Sequence, residues 1–191
     1  MTCDIARIIA FAMPLPPQPW PTGEIEQLEP LVRRVLAPNA SPFTYTGTQT
    51  YLVGGDEGLA VIDPGPADPA HLDALARAIG HAPVLTIACT HTHRDHSPAA
   101  APLAERTGAP VVGCAALVLE SDEPRADAPF DQDYSPDRVL GDGERLTGPN
   151  WALTAVATPG HTSNHLCFAL EESGALFTGD HVMGWSTTVV A

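Results

Sequence analysis

An α/β layered fold is predicted by three features of the sequence. Short strand-like runs are mixed with helical stretches. Turn residues sit tightly at the ends of those runs. Apolar residues make up 44% of the 191, enough for a sizeable core in one domain spanning residues 1–191.

The elements can be justified in order. Residues 14–23 are proline-rich and predict an extended entry segment. Residues 24–36 predict a short helix or an irregular stretch. Residues 46–55 and 58–65 are strand-like and meet at the turn Gly54-Gly55-Asp56-Glu57-Gly58. A helix follows, with Asp68 as N-cap, Pro69 in the first turn, Leu72, Leu75 and Ile79 on one face, and Gly80 at its end. Residues 84–90 form a short apolar run and predict a buried strand. Ser97-Pro98 predicts a second helix start, running to Gly108, with Pro102 awkwardly placed inside it. Residues 109–114 predict another strand. Residues 120–138 are acidic and proline-bearing, which predicts a surface loop. Gly141-Asp142-Gly143 marks a turn, and residues 151–158, 165–170 and 175–178 predict the last strands.

Charge and composition narrow the function. The net charge is −14; all nine basic residues are arginine and none is lysine. Such a chain repels phosphate backbones unless a local patch or a metal ion compensates, so bulk charge gives no case for nucleic-acid binding. No segment has the eighteen or so apolar residues of a membrane span. The first twenty residues lack the basic start and long apolar core of a secretory signal. Cys3, Cys89, Cys114 and Cys167 are scattered, without a CxxC pair, and read as reduced core thiols. The expectation is a cytoplasmic protein with no membrane partner.

The chemistry concentrates in Thr90-His91-Thr92-His93-Arg94-Asp95-His96, directly after the apolar run 84–90. Residues two apart in extended chain point to one side, so His91 and His93 can grip one ion. Asp95 and His96 come after the chain turns and can face a second. Imidazoles and a carboxylate are ligands that zinc prefers, and they also suit iron and manganese. A lone histidine at a strand end is usually a satisfied polar residue. Three histidines and an aspartate within six positions are not explained that way. His161 lies in the tight loop Thr158-Pro159-Gly160-His161-Thr162, and Asp180 ends the strand-like run 176–180, where a carboxylate could bridge two ions.

The order HxHxDH, then GH, then GD resembles the metallo-β-lactamase superfamily over most of the chain. The resemblance implies an αββα sandwich with a dinuclear site, zinc in the first instance. His91, His93 and His161 would hold the first metal, Asp95 and His96 the second, and Asp180 would bridge. Asp63-Pro64-Gly65 matches a family turn whose Asp supports the metal loop. Residues 46–51 and 180–188 resemble the lactamase-beta-two-like, glyoxalase-II-related branch, which includes endoribonucleases. The family also supplies a later histidine to the second metal, and the branch a winged-helix tail. The sequence ends at Ala191, so an incomplete sandwich, lacking its C-terminal part, is expected.

The implied activity is hydrolysis by a metal-bound hydroxide, available at neutral pH because the ions lower the pKa of water toward roughly 7. Asp95 is the expected catalytic residue, orienting the nucleophile or moving its proton. The substrate is an ester, thioester, lactam or phosphodiester, which leaves small molecules and RNA both open. The alternatives are a glyoxalase-II-like thioesterase, a mononuclear-iron persulfide dioxygenase using His91, His161 and Asp180, and a chain that binds one metal without turnover. His71 and His81 are expected to face solvent. His165 is expected near the pocket without ligating, and His181 on the face opposite Asp180. Trp185 is read as a core aromatic.

Overall fold

The structure is a computed structural model and describes residues 21–117, 129–184 and 186–190. Residues 14–20 of the proline-rich entry segment, Cys3 and Trp185 lie outside the described residues.

Seven strands form the first sheet, in spatial order from β1 to β7: β1 (Ile25–Glu29), β2 (Val32–Leu36), β3 (Gln49–Gly55), β4 (Gly58–Ile62), β5 (Val84–Cys89), β6 (Val111–Gly113) and β7 (Arg138–Val139). The first four make an antiparallel meander, and β4 to β7 run parallel. The parallel steps carry α1 (Pro69–Ile79) between β4 and β5 and α2 (Ala100–Thr107) between β5 and β6. Two right-handed crossovers that advance in one direction place both helices on the same face of the sheet. Four antiparallel strands form the second sheet: β8 (Arg145–Thr147), β9 (Ala152–Ala157), β10 (Leu166–Leu170) and β11 (Leu176–Phe177), in order β11-β10-β9-β8.

Register shows which face meets which layer. Arg33, Leu52 and Val61 are cross-strand partners and share a face. Arg33 donates from Nη1 to the Ala78 carbonyl of α1 at 2.7 Å, so that face meets the helices. Tyr51 and Ile62 share the other face, and the Tyr51 ring lies 5.0 Å from that of Phe177 in β11. The first sheet is therefore covered on both sides. This explains why every residue of β4 is buried and why β5 reads as an apolar run rather than an alternation. Trp151 ties the two sheets together, donating from Nε1 to the Gly58 carbonyl at 3.0 Å.

The structure corrects several expectations. Residues 24–36 form the hairpin β1–β2 rather than a helix or irregular stretch. Val32, Val35 and Leu36 find cover in the core, while β1 is left as an edge, largely exposed and polar through Glu26, Gln27 and Glu29. Helix α2 starts at Ala100 rather than at Ser97, whose hydroxyl instead donates to Asp131 Oδ2 at 2.7 Å. Pro102 then falls in the first turn, where a backbone N–H has no helical partner to lose. Residues 129–138 of the supposed surface loop are tied inward. Tyr134 is buried, the segment ends in β7, and Phe130 bridges to His93. Helix α1 follows its expected signals, with Asp68 Oδ1 accepting from the His71 N–H at 3.0 Å. Among the described residues, both helices lie on the first sheet, and no helix is long and apolar enough to cross a membrane. Cys89, Cys114 and Cys167 are buried free thiols.

The tie between the sheets generates a stability prediction. Trp151→Ala should cost about 3–5 kcal/mol, and Trp151→Phe, which keeps most of the ring and loses its hydrogen bond, only about 1 kcal/mol. Urea unfolding of the two variants measures both, and equal losses would show that the hydrogen bond, not the packed ring, joins the sheets.

Candidate metal centre

The six expected residues arrive at one end of the two sheets. His91, His93, Asp95 and His96 follow the C-terminal end of β5, and Asp63 follows β4, its parallel neighbour. His161 lies beyond β9, and Asp180 lies beyond β11. These two strands run the same way because both are antiparallel to β10. Open α/β sheets gather ligand sites at the carboxyl ends of their strands for this reason.

A turn separates the first two histidines from the pair that follows. His96 and Ser97 both donate their N–H to the His93 carbonyl, at 2.9 and 3.2 Å. The result is two groups of ligand atoms, each lying within 4.8 Å of one another. His91, His93, His161 and Asp180 form one, and Asp95, His96 and Asp180 the other. Asp180 belongs to both, as a bridging carboxylate would.

Hydrogen bonds behind the rings fix their tautomers. The Thr90 hydroxyl gives its hydrogen to Asp63 Oδ2 at 2.7 Å, so it accepts from His91 Nδ1 at 3.0 Å. His161 Nδ1 donates to the Val189 carbonyl at 2.7 Å. His96 Nδ1 donates to Asp63 Oδ2 at 2.9 Å. All three rings thus keep Nε2 for the site. His91 Nε2 and His161 Nε2 lie 3.0 and 2.9 Å from His93 Nδ1. One ring nitrogen cannot satisfy two such neighbours by hydrogen bonding along its single in-plane direction. Two nitrogens bound to one tetrahedral zinc ion would be about 3.4 Å apart, given bonds of about 2.0–2.1 Å. The observed spacings are somewhat shorter than that, and the convergence and chemistry of this donor set fit a metal ion.

Electrostatics agree. Burial pushes the His91 pKa well down, with neighbouring histidines adding to the effect, so the ring stays neutral and able to ligate. Burial also disfavours charge on His96, but Asp95, Asp180 and Asp63 outweigh it and push its pKa well up. Its Nε2 sits 3.3 Å from both Asp95 Oδ2 and Asp180 Oδ1. A cation is favoured there, and a proton and a metal ion compete for the place. Burial opposes the charge of Asp95 and of Asp180 as well, yet His96 holds both carboxyls below the usual range.

Other residues take parts that sequence reasoning missed. Phe130 stacks on His93 with ring centroids 4.6 Å apart, and Thr48 donates to Asp95 Oδ2 at 3.1 Å. Nothing local in the sequence marks Phe130; Thr48 lies in the segment 46–51 that carries part of the family resemblance, which gave no role to its hydroxyl. Gly179, the residue before Asp180, has φ 47°, and a Cβ there would lie 2.6 Å from Thr90 Oγ1, so glycine lets this loop close on the metal loop. His165 stacks on His91 at 5.0 Å, which places it near the pocket, and it is in neither ligand group. His181 is likewise outside both groups, and His81 is exposed. His71 corrects the expectation of a solvent-facing ring, being fully buried.

The model of the metallo-beta-lactamase superfamily matches residues 44–190. An atrochrysone carboxyl ACP thioesterase of Paecilomyces divaricatus is 34% identical over 181 residues, covering 92% of this chain and 51% of the relative. The chain thus spans about half the length of the curated relatives it matches. Among solved structures, the metallo β-lactamase MIM-1 from Novosphingobium pentaromativorans has a TM-score of 0.53 at 34% identity, over 69% of this chain and 53% of its own. A beta-lactamase domain protein from Burkholderia ambifaria reaches 0.69 at 22% identity, over 94% and 60%, a likeness of fold alone. Matched along most of its length, and with a cluster of histidines and aspartates that could hold metal at one end of its sheets, the chain belongs to the metallo-beta-lactamase superfamily of hydrolases.

Proposed function

We propose that this chain carries a dinuclear hydrolytic site that cleaves thioesters, with zinc as the resident metal. The observation that carries the reading is the convergence of His91, His93 and His161 on one point while Asp180 is shared with Asp95 and His96. His91, His93 and His161 would hold the first ion, Asp95 and His96 the second, and Asp180 both. When bound, such ions supply Lewis acidity and make a nucleophilic water available at neutral pH. His96 keeps the Asp95 carboxylate charged, and Thr48 holds its Oδ2, so Asp95 is placed to orient an attacking water by accepting its hydrogen bond. The Thr90–His91 and Asp63–His96 hydrogen bonds keep the rings from turning. In the overall reaction, water oxygen bonds to the acyl carbon, the carbon–sulfur bond breaks, and a carboxylic acid and a thiol leave.

The thioester assignment is supported by the relative at 34% identity, itself named an acyl-carrier-protein thioesterase. A net charge of −14 weighs against RNA. The buried free thiols fit a reducing, cytoplasmic setting.

Two outcomes test this reading. Chelator treatment of the intact protein should abolish hydrolysis of an acyl-pantetheine thioester, and zinc should restore it. Cleavage of RNA, or of the matching oxygen ester at an equal rate, would contradict the substrate class. His91→Ala should strip metal, read by elemental analysis, and cut turnover by more than the roughly 100-fold that loss of an outer partner costs. His81→Ala, on an exposed ring, should change neither.

A further inference from the structure

The buried histidine of α1 has no part in the reaction described so far, yet its ring lies against the turn on which the metal loop rests. His71 is 0% exposed. Its Nε2 lies 3.0 Å from the Pro64 carbonyl and 3.0 Å from Thr50 Oγ1. A carbonyl only accepts, so Nε2 carries the hydrogen, and the Thr50 hydroxyl shares it as a second acceptor. Nδ1 has no hydrogen-bond partner among the described residues and presents a lone pair. Burial lowers the pKa of this ring against the pull of the Pro64 carbonyl, which keeps the neutral form with its single N–H.

The turn that receives this hydrogen bond is Asp63-Pro64-Gly65. Asp63 takes φ 48°, a left-handed conformation that a residue with a side chain rarely adopts and that its surroundings must hold. Its carboxylate holds Thr90 and the Nδ1 of His96. Gly65 N–H donates to the His96 carbonyl at 2.8 Å, and Gly65 accepts from Ala99 N–H at 2.9 Å. The turn therefore grips His96 by both side chain and main chain. A Cβ on Gly65, at φ 85°, would come within 2.9 Å of His71 Nε2, so ring and turn are packed without slack.

We propose that His71 is a positioning residue for His96, holding the Asp63-Pro64-Gly65 turn through its Nε2–H so that His96 Nε2 stays aimed at Asp95 and Asp180. The proposal rests on the metal reading only for its consequence at the ion; the positioning itself is a statement about this chain. On the amphipathic pattern of its helix alone, His71 reads as a surface residue.

The test uses the intact protein and cobalt(II) as probe, titrated by visible absorption. His71→Leu should weaken cobalt binding at the Asp95–His96–Asp180 group at least about tenfold, the lower range for loss of an outer partner. Binding at the three-histidine group should stay as in the wild type. The hydrogen-bonded Nδ1 proton of His96, followed by NMR without metal, should broaden or shift. Leu72→Ala, a core change on the same helix, should lower the melting temperature without moving either readout. His71→Gln, which retains an N–H donor, should recover much of the affinity. If His71→Leu does not fold, His71→Asn, whose amide is too short to reach Pro64, takes its place. Wild-type cobalt affinities together with an unchanged His96 proton in the variant would overturn the proposal. A wild-type chain that binds no cobalt, but whose His96 proton still responds to His71→Leu, would sink the metal reading and leave the positioning role standing.

Discussion

The Asp63 carboxylate accepts hydrogen bonds from the Thr90 N–H at 2.8 Å, the Thr90 hydroxyl at 2.7 Å and His96 Nδ1 at 2.9 Å. Through Thr90 it sets the tautomer of His91, and through His96 it sets that of the second group. Hydrogen bonds to a charged acceptor contribute about 1.5–3 kcal/mol each. Three of them outweigh the strain of a left-handed aspartate. The residue can therefore sit at the end of β4 in a conformation that aims its side chain sideways, at the end of β5, instead of onward along the chain.

This arrangement depends on the parallel pairing of β4 and β5, which brings the C-terminal end of one strand beside that of the other. The second sheet closes the site from the opposite side. β9 and β11 both point their ends toward the metal loop, and Leu166 N–H at the start of β10 donates to the Thr90 carbonyl at 2.9 Å. Ligands from separate parts of the chain thus meet because two sheets, packed face to face, release their loops at the same edge. The close passage of Gly179 past Thr90 and His165 is one of the tight points of that meeting.

The site also concentrates negative charge in a chain that is already acidic. Asp63, Asp95 and Asp180 surround His96, and their combined field favours a cation at its Nε2. Burial alone would drive charge out of this region, as it does at His91. The competition between desolvation and carboxylates divides the histidines into a neutral ring and a ring that seeks a cation. Both states suit metal ligation, one by offering a lone pair and the other by exchanging a proton for an ion.

Four of the six candidate ligands were legible in the sequence because they lie within one short motif, and His161 and Asp180 through the order in which their loops follow it. HxHxDH sets alternation and a turn within six residues, and GH and GD each mark a loop at a strand end. Most strands and α1 were legible too, since apolar runs, the Asp68 cap and the Gly54–Gly58 turn act over short range. The hairpin β1–β2 was not, because Val32, Val35 and Leu36 become strand residues only when β3 and the core cover them. Ser97-Pro98 read as a helix start, but Asp131, 34 residues away, takes the Ser97 hydroxyl and the helix begins at Ala100. Phe130 against His93, Thr48 against Asp95 and His71 against Pro64 are all contacts made by packing between distant segments. Local pattern decided which atoms can ligate. Only the tertiary structure decided which outer groups fix their tautomers and aim, because those hydrogen bonds exist only once both sheets and the helix layer have closed around the loop.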